Sequence, residues 1–313
     1  IIVVVASSLI FQVFGVIESF LQSKVHSRKS SFLNIVLGLL SALIKIYLIY
    51  KNKSLIFFAY AYVLDAFTLF VGQFILLRRE QVVFKFVNIK VSFIKNLFKQ
   101  SWPLALGGLI ISVYMRIDQI MIEHMYSSTE VGIYSAALRI SEAWYFIPMV
   151  ISASLFPAIL NAKVNNNEIY LMRIQNLFSL ITLLSLCFAL PISFFSRDLV
   201  SLLYGAKYIN SGSILVLHVW ATVFVGFGVV SSKWYVAEGM QHLLLIRSIC
   251  GLFANIALNY ILIPQMGGVG AAIATLISQG ISALLFDLFR TETRQLFYMK
   301  LKSFLFWKVS LRH

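Results

Sequence analysis

An all-α, polytopic membrane helix bundle is the expectation for these 313 residues, and three observations lead to it. Of the residues, 60% are hydrophobic, and mean hydropathy is +0.87. Charged residues make up 12%, against roughly 25% in a soluble domain, too few to coat a surface facing water. The apolar residues also come in continuous runs of about 20, the length of helix that crosses a bilayer. A membrane barrel would instead alternate apolar and polar residues with a period of two.

About nine runs fit the length of a span: 1–21, 32–50, 54–77, 101–124, 130–157, 174–196, 213–235, 243–264 and 267–289. The first opens IIVVVASS, with neither Met nor the basic n-region of a signal peptide, and reads as a chain entered inside a span of a longer protein. Pro103 is expected in the first turn of its helix, where a missing N–H is no loss. Pro148, Pro157 and Pro191 fall inside or near span ends and are expected to kink them, which membrane helices tolerate. Gly267, Gly268 and Gly270, followed by Ala271, Ala272 and Ala274, mark a helix that packs closely against a neighbour. The segment 78–100, RREQVVFKFVNIKVSFIKNLFKQ, alternates Lys with apolar and aromatic side chains, the pattern of an amphipathic connector lying on headgroups. It separates three spans from six. The expected organisation is therefore 1–77, a connector at 78–100, a six-helix lobe at 101–289 and a basic tail at 290–313.

The connections alternate in charge. Nineteen Lys and Arg residues fall on one side, including Lys29, Arg78, Arg79, Lys163, Arg247 and Lys300; four, Lys51, Lys53, Arg197 and Lys207, fall on the other. Basic residues mark the cytoplasmic side, so the C-terminus is expected there. The net charge of +14 would point to nucleic acid in a soluble protein. Here no basic segment belongs to a soluble domain, and no nucleic-acid partner is expected. Cys187 and Cys250 are too few for a disulfide framework or a metal cluster. His124, His218 and His242 are isolated, so no metal site is expected, nor any cofactor, because the chain has no GxxxxGK[ST] phosphate loop. The outer loops are too short for a catalytic domain, which argues against an enzyme.

Several spans carry charge. Residues at i, i+3, i+4 and i+7 share a helix face, and Ser112, Arg116, Gln119 and Glu123 follow that spacing. Asp118 falls off the stripe, near Tyr114. The next span repeats the pattern with Ser135, Arg139 and Glu142; earlier spans offer Gln12 with Ser8, Lys45 with Ser41, and Asp65 with Thr68. A charge facing hydrocarbon costs several kcal/mol, about 2.5–3.5 on insertion scales. The stripes are therefore expected to face a shared, water-accessible interior. Arg139 and Glu142, spaced i,i+3, can also neutralise each other.

The stretches SWPLALGGLIISVYMRIDQIMI, TEVGIYSAALRISEAWYFIP and SASLFPAI, within 101–159, together with VFGVIESFLQSKVHSRKS (13–30) and GGVGAAIAT (267–275), resemble the Wzx-type polysaccharide flippases of the MOP exporter superfamily. The resemblance covers nearly the whole chain and is most specific in 101–157. It implies two six-helix lobes around a central cavity, of which 1–77 would be the last three spans of the first lobe, with about three spans lying before residue 1. It also implies a multi-pass protein of the bacterial cytoplasmic membrane that moves an undecaprenyl-pyrophosphate-linked oligosaccharide, such as an O-antigen or capsule repeat unit, between leaflets. The partners it implies are that substrate, membrane lipids, and polysaccharide polymerase and chain-length proteins. Arg116 and Arg139, helped by Lys45, would then hold the pyrophosphate, because the guanidinium fork donates in parallel to phosphate. Asp118, Glu123, Glu142 and Asp65 would hold those cations, contact sugars or exchange ions, with Gln12, Ser112 and Gln119 as polar lining. Transport would proceed by alternating access, with cation coupling. Lipid II flippases and multidrug cation antiporters of the same superfamily are the nearest alternatives; a membrane-embedded glycan-processing enzyme is a remote one.

Overall fold

The computed structural model describes residues 1–17, 20, 27–79 and 91–305. They are helical, with no strand among the described residues. In chain order the α-helices are α1 Ile2–Ser7, α2 Leu9–Gln12, α3 Ser27–Tyr50, α4 Leu55–Arg79, α5 Val91–Met125, α6 Ser128–Glu142, α7 Phe146–Asn165, α8 Asn167–Tyr204, α9 Ser211–His218, α10 Ala221–Ala237, α11 Gln241–Ala283 and α12 Arg294–Lys302. Two compact units contain them, Ile1–Asn88 and Ile89–His313.

Among the described residues, seven helical segments are long and apolar enough to cross a membrane, and a shorter apolar stretch runs Val3–Gly15. The segment Gln241–Phe289 holds two of the expected spans. The expected span 130–157 is divided between α6 and α7, and 213–235 between α9 and α10. Residues 80–90 of the expected connector lie outside the described residues. Its last ten residues, from Val91, are the first turns of α5, so Pro103 sits inside a helix rather than in its first turn. The flanking sequence SFIKNLFKQ is itself helix-compatible and continues the α5 pattern across the proline. Pro157 and Pro191 lie inside α7 and α8; the backbone of α8 departs from helix four residues later, at Phe195 (φ −104°, ψ 17°).

In the first unit α3 and α4 form an antiparallel hairpin. Asn52 adopts a left-handed conformation (φ 47°), and the Lys53 N–H donates to Leu48 O at 3.0 Å, closing α3 as a helix C-terminus does when an Asn follows it. Phe11 and Phe14 of the N-terminal stretch pack on Phe67 and Phe70 of α4.

In the second unit, local chemistry sets the helix starts. Ser127 Oγ accepts from the Glu130 N–H (3.2 Å) to begin α6, and Asn166 Oδ1 accepts from the N–H groups of Glu168 (2.7 Å) and Ile169 (3.2 Å) to begin α8. The residues of α11 turn back on themselves at Gly267, whose φ of 56° and ψ of −133° suit glycine alone. A Cβ on Gly270 would lie 2.4 Å from Leu262 O and one on Gly251 2.9 Å from Ser282 Cβ, so 241–266 and 268–283 lie close against each other. Glu130 Oε1 accepts from the Gly268 N–H at 3.1 Å and pins the turn to α6. Two apolar cores fill the unit: one around Tyr170, Phe178, Phe227 and Tyr235, the other around Ile122, Tyr134, Leu215 and Ile263.

The end of this unit opposite the Gly267 turn collects basic side chains, and two of them are not where the sequence suggested. Arg247 and Lys300, expected among the basic connections and tail of the cytoplasmic side, are 5% and 0% exposed. Lys300 pairs with Asp287 and donates to Ala283 O at 2.6 Å, while Tyr235 Oη also donates to Asp287. Burial pushes the Lys300 ammonium down, against the pull of Asp287. Part of the expected basic tail is therefore a docked helix: Gln175 reaches Met299 O at 3.0 Å, and Thr182 bonds Ser303 at 2.8 Å. Residues 306–313 lie outside the described residues.

Candidate functional site

The expected polar stripe of α5 and its counterpart on α6 meet each other. Gln119 Nε2 donates to Ser135 Oγ at 3.3 Å. Arg116 Nη2 stands 3.8 Å from Glu142 Oε2, with the arginine side chain 59% exposed. At that distance the pair attracts by charge without forming a hydrogen bond, so the Arg116 N–H donors stay available. Arg139 is exposed, and among the described residues its guanidinium makes no hydrogen bond or ion pair. Glu123 is likewise exposed. Ser112 turns inward on its own helix, Oγ donating to Gly108 O at 3.0 Å. The second unit thus presents a membrane-embedded face with two guanidinium groups and one partly shielded carboxylate between them.

Asp118 is elsewhere. It is 4% exposed and touches neither Arg116 nor Arg139. Tyr134 Oη donates to its Oδ2 at 2.7 Å, Thr275 Oγ1 to the same oxygen at 2.5 Å, and Asn259 Nδ2 to Oδ1 at 2.6 Å. Asn259 Nδ2 also reaches Asn255 Oδ1 at 3.1 Å, and Asn255 Nδ2 reaches Thr275 Oγ1 at 3.5 Å. One helical turn away, the Tyr114 hydroxyl meets Ser278 Oγ at 2.7 Å. The Gly267 hairpin makes this possible, because it brings 255, 259 and 275 onto the same side of α5. The cluster holds one carboxylate, several neutral oxygens and no cation, and the Asn259 Oδ1 atom is buried without a partner. Among the described residues no group of three His, Cys, Asp or Glu side chains is arranged to hold a metal ion. A single carboxylate with amide and hydroxyl oxygens fits a hard monovalent cation by charge and ligand type.

In the first unit, Lys45 Nζ lies 2.8 Å from Asp65 Oδ2, and Ser41 Oγ donates to the same oxygen at 2.7 Å. Thr68 Oγ1 donates to Asp65 O at 3.0 Å. Asp65 holds Lys45, and the pair is half exposed. Gln12 Nε2 donates to Ser8 Oγ at 3.3 Å.

The sequence reading missed Tyr134, Asn255, Asn259 and Thr275. One signal was present: Asn255 and Asn259 stand at i,i+4 within an apolar span, and paired amides at bilayer depth need a polar partner. The partner itself, Asp118, is 141 residues from Asn259, a separation that periodicity cannot bridge.

Membrane-length helices bearing guanidinium groups on one face, and a lone carboxylate enclosed behind it, define a multi-pass membrane protein with a transporter fold. The chain belongs to the polysaccharide biosynthesis protein family, which matches residues 1–163, and the MatE family matches 103–261. It is 23% identical over 64% of its length to the capsular polysaccharide biosynthesis protein CapF of Staphylococcus aureus, covering 52% of that protein. It is 25% identical over 82% of its length to "Probable flippase AglR" of Haloferax volcanii, covering 53% of it. The chain spans about half the length of these relatives. Among solved structures, the lipid II flippase MurJ in an inward closed conformation shares the fold. Its TM-score is 0.70 at 17% identity, over 96% of this chain and 65% of that one.

Proposed function

We propose that the protein of which this chain is part flips a lipid-linked oligosaccharide across the bacterial cytoplasmic membrane, with its diphosphate accompanied by Arg116 and Arg139. The observation that carries this reading is the pair of exposed guanidinium groups on membrane-spanning helices, one beside Glu142 at more than hydrogen-bonding distance and one without a partner among the described residues. A diphosphate headgroup cannot enter hydrocarbon alone, and two guanidinium forks facing water replace part of its hydration. Glu142 keeps Arg116 aimed when no cargo is present, and its weak hold is released when phosphate arrives. Gln119, Ser112 and Glu123 supply donors and acceptors for sugar hydroxyls. Lys45, already held by Asp65, is a secondary cation. Names given to relatives support the cargo class: a capsular polysaccharide biosynthesis protein and a glycan flippase carry cargo or work in pathways of that kind.

For the energy input we assign a monovalent cation to the Asp118 cluster, with Asn255, Asn259, Thr275 and Tyr134 as its neutral neighbours. The charge of that ion would offset the buried carboxylate, and the unpartnered Asn259 Oδ1 would gain a partner. The residues' own part is to hold the carboxylate away from bulk water at the junction of α5, α6 and the Gly267 hairpin, so that its occupancy biases how these helices pack. The basic end of the second unit is assigned to the cytoplasm.

Complementation tests the cargo role. The full-length gene is placed in a strain lacking its glycan flippase, and surface glycan is compared for wild type, Arg116→Ala and Arg139→Ala at matched membrane levels. A charge-assisted hydrogen bond is worth about 1.5–3 kcal/mol, so each variant is expected to lose at least about tenfold in flux. Normal surface glycan in both variants removes the proposed ligands.

A further inference from the structure

A second site stands apart from both polar clusters. Between α8, α10 and the 268–283 arm lies an open cleft of about 450 Å³, lined by Leu186, Trp220, Phe224, Ile277 and Gly280 and by Phe304 of the docked C-terminal segment. Its volume is that of a ligand cavity, its wall is apolar, and it sits among membrane-spanning helices, so the surrounding solvent is lipid chain. Along the same seam, one helical turn from Phe224, Gly228 faces Ala283 and the Arg247 guanidinium: a Cβ on Gly228 would lie 3.7 Å from Arg247 Nη2 and 4.0 Å from Ala283 Cβ. Arg247 Nη2 donates to Gly228 O (3.3 Å) and Ser232 Oγ (3.1 Å), but its Nη1 is buried with no partner. The end of the unit that carries Arg247 also carries exposed Arg294 and Lys302, while the nearest buried carboxylate, Asp287, is already taken by Lys300 and Tyr235.

An apolar cleft one turn from a nine-tenths-buried guanidinium, which rests on the Tyr235 ring and keeps one nitrogen without a hydrogen-bond partner, at the basic end of the unit, matches one kind of molecule by both shape and charge. We propose that this seam binds an anionic phospholipid, one acyl chain in the Leu186–Phe224–Gly280 cleft and its phosphate drawn to Arg247. The zwitterionic lipids of the same bilayer fill the cleft equally well but gain less from an excess of cation. Phe304 makes the docked C-terminal segment part of the wall that meets the chain. The site is independent of the Arg116–Arg139 face, and it survives if that reading fails.

Native mass spectrometry of the full-length protein, with phosphatidylglycerol and phosphatidylethanolamine added in equal amounts, reads the proposal directly. Wild type is expected to retain one phosphatidylglycerol at least fivefold over phosphatidylethanolamine, and millimolar glycerol phosphate is expected not to displace it. Gly280→Leu, whose added side chain starts in ordinary contact with Phe224 and projects into the cleft, is expected to cut retention of both lipids fivefold or more. Ile277→Trp fills the same space from the exposed side and keeps the test open should Gly280→Leu fail to insert. Arg247→Gln is expected to abolish the preference between the two lipids while leaving the cleft able to hold either. Equal retention of the two lipids by wild type, unchanged retention in both cleft-filling variants, or displacement by glycerol phosphate overturns the proposal.

Discussion

Arg116 and Arg139 differ from most charges in membrane helices in how little restrains them. Glu142 stands 3.8 Å from Arg116, whereas Lys45 is held at 2.8 Å by Asp65. Lysine at 116 would keep the charge but lose the planar fork. Arg116→Lys is therefore expected to keep normal membrane levels and to restore only part of the flux that Arg116→Ala loses, as read by surface glycan. Asp118 makes the opposite case, a carboxylate satisfied on every side by neutral donors. Tyr134→Phe removes one of them without changing shape, and a buried group left short of a partner costs about 1–3 kcal/mol. Thermal unfolding in detergent should show that loss, and Asp118→Asn in the same background should shrink it, because the charge that needed the donor is gone. If the Tyr134→Phe penalty is the same with Asp118 or Asn at 118, the phenol does not serve the carboxylate. The guanidinium face was legible in the sequence because 112, 116, 119 and 123 share a helical period. The Asp118 cluster was not, because its members lie on three segments far apart in the chain.

At the scale of elements, the Gly267 hairpin is what assembles that cluster, and it rests on two different demands for glycine. Gly267 needs a positive φ with ψ near −133°, outside the left-handed helical well, and a side chain there costs about 1–3 kcal/mol. Gly270 needs room, since its Cβ would meet Leu262 O at 2.4 Å and the backbone itself would have to move. Gly270→Ala is expected to lower the thermal midpoint more than Gly267→Ala; the reverse order would place the constraint in the turn rather than in the contact. The sequence showed the small residues and the close packing they permit. It also showed a break between the expected spans 243–264 and 267–289, where the turn falls; it did not show that Gly267 alone takes the positive φ. The terminal helix was misread for a related reason. Lys300 looks like one of many basic tail residues until Asp287 and Tyr235 are brought to it. Lys300→Ala leaves Asp287 buried and unpaired, which costs about 3–5 kcal/mol, whereas replacing both partners with well-packed apolar residues is near neutral. Hydrogen exchange over 294–302 should therefore accelerate strongly in Lys300→Ala and stay close to wild type in Lys300→Met/Asp287→Leu. Acceleration of equal size in both variants contradicts that account of the docking.

For the whole molecule, the face and the enclosed cluster lie on opposite sides of α5. Arg116 and Asp118 are two residues apart, about 200° around the helix axis. A helix that carries cargo ligands on one face and an ion-binding carboxylate on the other can couple them by a small rotation or tilt. Flux by the reconstituted full-length protein should then respond to a cation gradient in wild type and lose that response in Asp118→Asn; equal gradient response in both removes Asp118 from the coupling. All of this presupposes that residues 116 and 139 look onto water. The most direct test places cysteines there, Arg116→Cys and Arg139→Cys, in full-length protein with Cys187 and Cys250 replaced. A membrane-impermeant maleimide is then applied from each side of the membrane. Both positions should label from at least one compartment, and more slowly when a diphosphate-linked oligosaccharide lipid is present. Failure of the reagent to reach either position from both compartments, in protein that inserts normally, would contradict it.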